Sequence, residues 1–177
     1  MAERSFEPIM LDDLARLAEL AEADRNRLFE RNQLLGKRYA QRVLCVTLCQ
    51  GAALHYVDGH NGVKDFDVWT FYAEHPDGPF PYRRVARLDF GPSKFGRMPN
   101  DIRPYRGRRV DLIGRSLPVR LNADPVDALH GYLATPRTSS ARALARKAVV
   151  LVDPVDLRGV IVWPVHPRST GRPGDAA

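Results

Sequence analysis

The order of hydrophobic periods along this 177-residue chain predicts an α/β (α+β) fold, with an N-terminal helix and C-terminal helices packed around a sheet. Three observations predict it. A helical apolar period runs through residues 12–35, β-branched apolar runs recur between residues 42 and 113, and helical patterns return after Pro118.

In the first helix, Leu14, Leu17, Ala18, Ala21, Leu28 and Leu35 form one apolar stripe, which Arg25 interrupts. Asp12 or Asp13 can cap its start, Gly36 can end it, and Arg27 and Arg31 fall on its solvated side. RVLCVTLC, residues 42–49, reads as a buried strand. A short helix is expected from Ala52 to about Asp58, followed by a second strand in DFDVWTFY, residues 65–72. A turn-rich stretch, residues 74–82, leads to a third strand over residues 83–90. A long aperiodic connection then reaches the strand that holds Asp111. Two helices follow, at about 124–134 and 138–149, the first capped by Asp124 with Pro125 at its first position. AVVLVDP and LRGVIVWP suit either a helix end or a strand. Residues 1–165 are expected to form one domain, and the tail from His166 to be disordered.

Composition excludes several classes. Hydrophobic residues make up 44% of the chain, so a packed core is expected. No apolar run approaches the roughly 20 residues that span a bilayer. The segment MAERSFEPIM has no secretory apolar stretch, so a cytoplasmic location and no membrane partner are expected. Cys45 and Cys49, four residues apart on one strand, would sit about 13 Å apart, too far for a disulfide. They read as buried structural thiols. His55, His60, His75, His130 and His166 show no metal-ligand spacing, although His55 and His60 fall near the short helix. Neither a Gly-x-Ser-x-Gly elbow nor a Gly-x-Gly-x-x-Gly turn is present.

The chemistry concentrates in LCQGAALHYVDGHNGVKDFDV, residues 48–68. A strand repeats every two residues, so Asp65 and Asp67 share a face while Phe66 points to the other. Two carboxylates on one rigid strand suit a hard cation such as Mg²⁺ or Mn²⁺, which takes oxygen ligands. Asp111, in RRVDLIG, can supply a third carboxylate; Asp89, in RLDFG, is its rival. The plain structural alternative is that Asp65 shapes the turn after Gly62 and Asp111 pairs with Arg109.

This order resembles the nucleotidyltransferase superfamily, in particular its small bacterial branch that includes abortive-infection toxins. That family has a hydrophobic strand, a small-residue turn, a helix, Asp-x-Asp on a second strand and a third Asp on a later one. The resemblance covers roughly residues 43–115 and implies a mixed sheet. It implies that Gly51 and Ala52 contact a nucleotide by their backbone, and that Asp65, Asp67 and Asp111 are catalytic and bind Mg²⁺ or Mn²⁺. The implied activity moves a nucleoside monophosphate from a nucleoside triphosphate to an acceptor hydroxyl. The turn carries a single glycine, so Gly51 can stand for either the first or the second small residue of the family turn, and Val63 stands where relatives often carry a polar residue. A catalytically inactive module of this fold, binding nucleic acid or a protein partner, is the alternative.

The net charge of +6 is unevenly placed. Residues 83–109 hold nine basic groups, Arg83, Arg84, Arg87, Lys94, Arg97, Arg103, Arg106, Arg108 and Arg109, against Asp89 and Asp101. Such a block suits a polyanion, either the triphosphate or an RNA or protein acceptor. In GPSKFG, the small residues around Ser93 and Lys94 would let backbone and ammonium reach phosphate, and Phe95 and Tyr105 are candidates to stack on bases.

Overall fold

The computed structural model describes residues 3–82 and 84–165. Its helices are α1 (Leu11–Arg31), α2 (Gln33–Tyr39), α3 (Gln50–Asp58), α4 (Pro125–Ala134) and α5 (Ser139–Ala145). Its strands are β1 (Val43–Cys49), β2 (Phe66–Ala73), β3 (Val85–Asp89), β4 (Arg109–Leu117), β5 (Ala148–Asp153) and β6 (Ile161–Trp163). The strands form one mixed sheet in the order β3-β4-β2-β1-β5-β6. β2 and β4 pair in parallel, and the other neighbours are antiparallel.

The alternation of side chains sorts the sheet into two apolar faces. Val46, Leu48, Phe66, Val68, Val110, Leu112 and Val150 meet Leu14, Leu17 and Ala21 of α1 and Ala52 and Ala53 of α3. Cys45, Cys49, Trp69, Phe71, Leu117, Val149 and Leu151 meet Leu129 and Leu133 of α4 and Leu144 of α5. Each fully buried leucine contributes roughly 2 kcal/mol through lost water contact. Cys45 and Cys49 are free and buried, as their spacing implies. Burial pushes both thiols upward in pKa, and Cys49 Sγ lies 3.2 Å from Thr47 Oγ1. Among the described residues no helix is long and apolar enough to cross a membrane.

Local chemistry explains where elements start and stop. Asp13 accepts the Met10 backbone N–H at 2.7 Å, so the acidic first turn closes the entry to α1. The helix expected through residue 35 breaks at Asn32, whose φ of −128° leaves the helical region. Its side chain accepts the Leu35 N–H at 3.1 Å and starts α2, so Gly36 lies inside that second helix and ends neither. Asp124 accepts the Asp127 N–H at 2.9 Å, and Pro125 opens α4, both as the sequence indicates. The helix expected over 138–149 stops at Ala145. Val149, Val150 and Val152 belong to β5 instead, where β-branched side chains fill both faces beside β1. The expected tail lies outside the described residues.

One ion pair crosses from α1 to the segment before β3. Asp24, 9% exposed, accepts two hydrogen bonds from Arg84, at 2.8 and 2.9 Å. A two-pronged pair of this kind fixes an angle as well as a distance. Replacing Arg84 with Met should therefore strand the Asp24 carboxylate and lower unfolding stability by about 3 kcal/mol. Urea denaturation checks this; a loss within experimental error would mean that water replaces the guanidinium at no cost.

Candidate functional site

The carboxylates gather where β1 ends and β2 and β4 begin. Cys49 is the register partner of Asp67, and Asp67 is the partner of Asp111. Asp65 precedes β2 by one residue and follows the same alternation. Beyond Asp67 the same face continues with Trp69 and Phe71 under α4 and α5, so the carboxylates occupy the rim of the sheet. Phe66, on the opposite face, stacks on Phe90 with ring centroids 5.0 Å apart.

Arg109 links the group. Its Nη2 lies 2.9 Å from Asp65 Oδ2 and 3.1 Å from Asp111 Oδ2. Asp111 Oδ1 and Arg109 Nε are buried with no hydrogen-bond partner among the described residues. Burial, with the charges of Asp65 and Asp111, pushes the Asp67 carboxyl up to about 6. Burial also raises Asp111, and the neighbouring Arg109 pulls it partly back. Burial works against the Arg109 charge, but Asp111 and Asp65 outweigh it and hold the guanidinium above its ordinary range. Lys147 acts on Asp67, and Arg87, the register partner of Asp111 on β3, acts on Asp111.

The donor set fits a hard divalent cation in its chemistry: three carboxylates, crowded like charges, and one buried oxygen without a partner. Among the described residues no three acidic, His or Cys side chains close into a ready cage. The Arg109 guanidinium lies between Asp65 and Asp111 and serves as their counter-charge. The pairing of Asp111 with Arg109 is the one that the plain structural alternative anticipates.

The turn between β1 and α3 stands beside the carboxylates. Gln50 has φ of 60°, a left-handed conformation that glycine enters without strain and other residues rarely adopt. Gly51 follows it, and its carbonyl accepts Asn61 Nδ2–H at 2.8 Å. Gln50 is thus the strained residue of this turn. The N-terminus of α3 has no side-chain cap. The first backbone N–H groups of a helix have no partner within it, which suits an anion. Ala52 sends its methyl group into the core and offers only its backbone there.

Ser93 and Lys94 are not brought to this site. Lys94 Nζ pairs with Asp13 of α1 at 2.9 Å, on the Phe66 face, and Ser93 Oγ accepts the Phe95 N–H at 3.3 Å. The small residues of GPSKFG make a tight turn that returns the chain to α1. Phe95 and Tyr105 are buried, Phe95 against Phe66, and neither presents a ring to solvent. Asp89 accepts backbone N–H groups of Arg106, Gly91 and Gly107 at 2.7, 2.9 and 2.9 Å. Burial opposes its charge, but those donors win and hold its carboxyl below the ordinary range. It fastens the long loop and takes no place among the site carboxylates. Gly107 is obligatory in that fastening, because a Cβ there would meet the Gly91 carbonyl oxygen at 1.9 Å.

The basic block divides by role. Arg84, Lys94 and Arg109 are ion-paired, and Arg108, 4% exposed, donates to the carbonyls of Phe95 and Glu3. Arg97, Arg103 and Arg106 remain exposed and form no ion pair among the described residues. Arg83 lies outside the described residues. A recess of about 200 Å³, lined in part by Lys64, Asp65, Asn100 and Arg109, opens beside the carboxylates. His55 is buried; it accepts the Gly62 N–H at Nδ1 and meets the Glu7 carbonyl through Nε2, so it braces the turn before Asp65. The sequence reading had no place for Lys147 at the site. It follows α5, and only the pairing of β5 with β1 carries it there.

Comparison with known proteins identifies no relative: no family model, no curated protein and no solved structure matches this chain.

The raised Asp67 carboxyl fixes the sign of a pH effect. A group held above its unfolded value contributes stability that is full below about 3.8 and lost as pH rises through about 6. Above that range the charged Asp67 is a burden on stability. Asp67→Asn should raise stability at pH 7 by roughly 2 kcal/mol and flatten the profile between pH 4 and 6. Thermal melts across that window check it; parallel wild-type and variant profiles would remove the crowding.

Proposed function

We propose that this chain is a metal-dependent nucleotidyltransferase-like protein, moving a nucleoside monophosphate from a nucleoside triphosphate to an acceptor hydroxyl. The observation that carries this reading is the placing of Asp65, Asp67 and Asp111 on one rim, next to the uncapped start of α3. Asp65, Asp67 and Asp111 would hold Mg²⁺ or Mn²⁺. A bound ion of that kind neutralises phosphate charge and lowers the pKa of an attacking hydroxyl.

The chain's own groups have separate tasks in this reading. Gly51 and Ala52 offer backbone N–H groups to phosphate oxygens at the start of α3. Lys64 lines the recess and holds charge farther from the reacting centre. Arg109, when its carboxylates turn to a cation, has its planar fork free for a phosphate. The exposed Arg97, Arg103 and Arg106 suit a polyanionic acceptor such as RNA, or an acidic protein surface.

A second reading has its own support. Arg109 already compensates two of the three carboxylates, and Gln50 occupies the strained turn position that glycine fits best. A catalytically inactive module of this kind would keep its basic loop for binding and turn over nothing.

Calorimetry with Mn²⁺ should show saturable binding, weakened at least about tenfold by Asp65→Asn, Asp67→Asn or Asp111→Asn, since each removes a charged ligand. In the presence of Mn²⁺ the protein should pass label from an α-labelled nucleoside triphosphate to cell RNA or protein, and Asp111→Asn should abolish this. Absence of Mn²⁺ binding refutes the metal site. Binding without transfer selects the inactive module.

The exposed arginines have a separate readout. Changing Arg97, Arg103 and Arg106 together to Ala should weaken binding to single-stranded RNA and reduce its log-log salt slope by about 2. An unchanged affinity and slope would leave these side chains as ordinary solvated charge.

A further inference from the structure

The C-terminal ends of β2 and β4 border a cavity of about 640 Å³, well apart from the carboxylate rim. That volume falls in the range of pockets for small organic molecules. Its floor holds Arg115 of β4, which is half-buried. The guanidinium lies over the rings of Tyr82 and Tyr132, 5.1 and 5.6 Å from their centroids. Two aromatic contacts and the Tyr132 hydroxyl hold the guanidinium in place, and its remaining N–H donors are left to act.

No anion answers that charge at ion-pair distance among the described residues. Arg115 and Arg137, both lining the cavity, form no ion pair among the described residues. Glu74 and Asp127 also line it, yet neither reaches an arginine at ion-pair distance. A half-buried cation without a counter-charge is costly, and a planar fork matches a carboxylate or phosphate in two-pronged fashion.

A second, independent feature points the same way. Gly131 lies within α4, where glycine is the least favourable residue apart from proline. Crowding does not require it, because a Cβ there would meet nothing within 4 Å. Its missing side chain leaves open space at the cavity wall.

We propose that this cavity binds a small organic anion, with a flat apolar body between Tyr82, Tyr132 and the proline-rich wall of Pro79 and Pro118, and an acidic headgroup on Arg115. Arg137 at the mouth adds attraction for the same charge. The proposal draws nothing from the carboxylate rim and stands whether or not that rim is catalytic.

The test uses two fluorescent probes on the whole protein: anilinonaphthalenesulfonate, a flat anion, and phenylnaphthylamine, its neutral counterpart. The anion should bind saturably at one site per chain. Gly131→Leu, which fills the cavity from a helix surface and should fold at least as well, should weaken that binding by about tenfold or more. Arg115→Met should weaken the anion by about tenfold and the neutral probe by much less. Naphthoate and naphthyl phosphate, added in turn as competitors, separate a carboxylate headgroup from a phosphate one. Should Arg115→Met fail to fold, Arg137→Met takes its place with a smaller loss in the same direction. The proposal is overturned if Gly131→Leu leaves anion binding intact, if the arginine variants weaken both probes equally, or if neither competitor displaces the anion.

Discussion

The parallel pairing of β2 with β4 is the constraint on which the rest of this structure depends. It runs in unbroken register from Phe66 opposite Val110 to Ala73 opposite Leu117. A slip of one residue would turn every side chain of β4 to the other face. Asp111 would then enter the apolar layer beneath α1, and Val110 and Leu112 would leave it. Burial of those residues therefore sets the register, and the register sets Asp67 opposite Asp111. The carboxylate rim is assembled by hydrophobic packing on the far side of the sheet, which outweighs the cost of crowding its charges.

A parallel pair also requires a long crossover, and that crossover contains β3 and the arginine-rich loop. The basic charge arrives near the carboxylates as a consequence of topology. Only part of it is available for a ligand. Arg84 braces α1 through Asp24, Arg108 ties Phe95 to the N-terminal segment, and Asp89 clamps the loop by its backbone. Arg109 turns inward to pair with the carboxylates, because it precedes Asp111 by two residues and shares its face.

How much of this was legible in the sequence depends on the range over which each feature is decided. Period two placed Asp65 and Asp67 on one face and Phe66 on the other, and Pro125 after Asp124 marked the start of α4; these are local choices. The break at Asn32 was also local, but a continuing apolar stripe hid it. Ser93 and Lys94 misled for a physical reason: small residues that let a backbone approach phosphate also let it fold tightly onto α1. The strand identity of residues 148–153 was ambiguous, since a short valine run satisfies helix and strand alike until β1 provides a partner. Lys147 and Arg87 were beyond reach, because only strand pairing across the sheet brings them to the carboxylates.

β4 shows how one strand can serve two opposite electrostatic ends. Asp111, Ile113 and Arg115 lie on the same face, with Asp111 and Arg115 about 13 Å apart along the chain direction. At the first end, carboxylates crowd until one of them resists ionisation, and the deficit is positive charge. At the second, a guanidinium lies over two aromatic rings and forms no ion pair among the described residues. The two do not cancel, because Trp69 and Ile113 separate them with an apolar layer that α4 covers. Coulomb attraction across such a distance is weak at the effective dielectric of a protein edge. Each end therefore keeps its own electrostatic surroundings, and a single strand of nine residues carries a carboxylate near one end of a face and a guanidinium near the other.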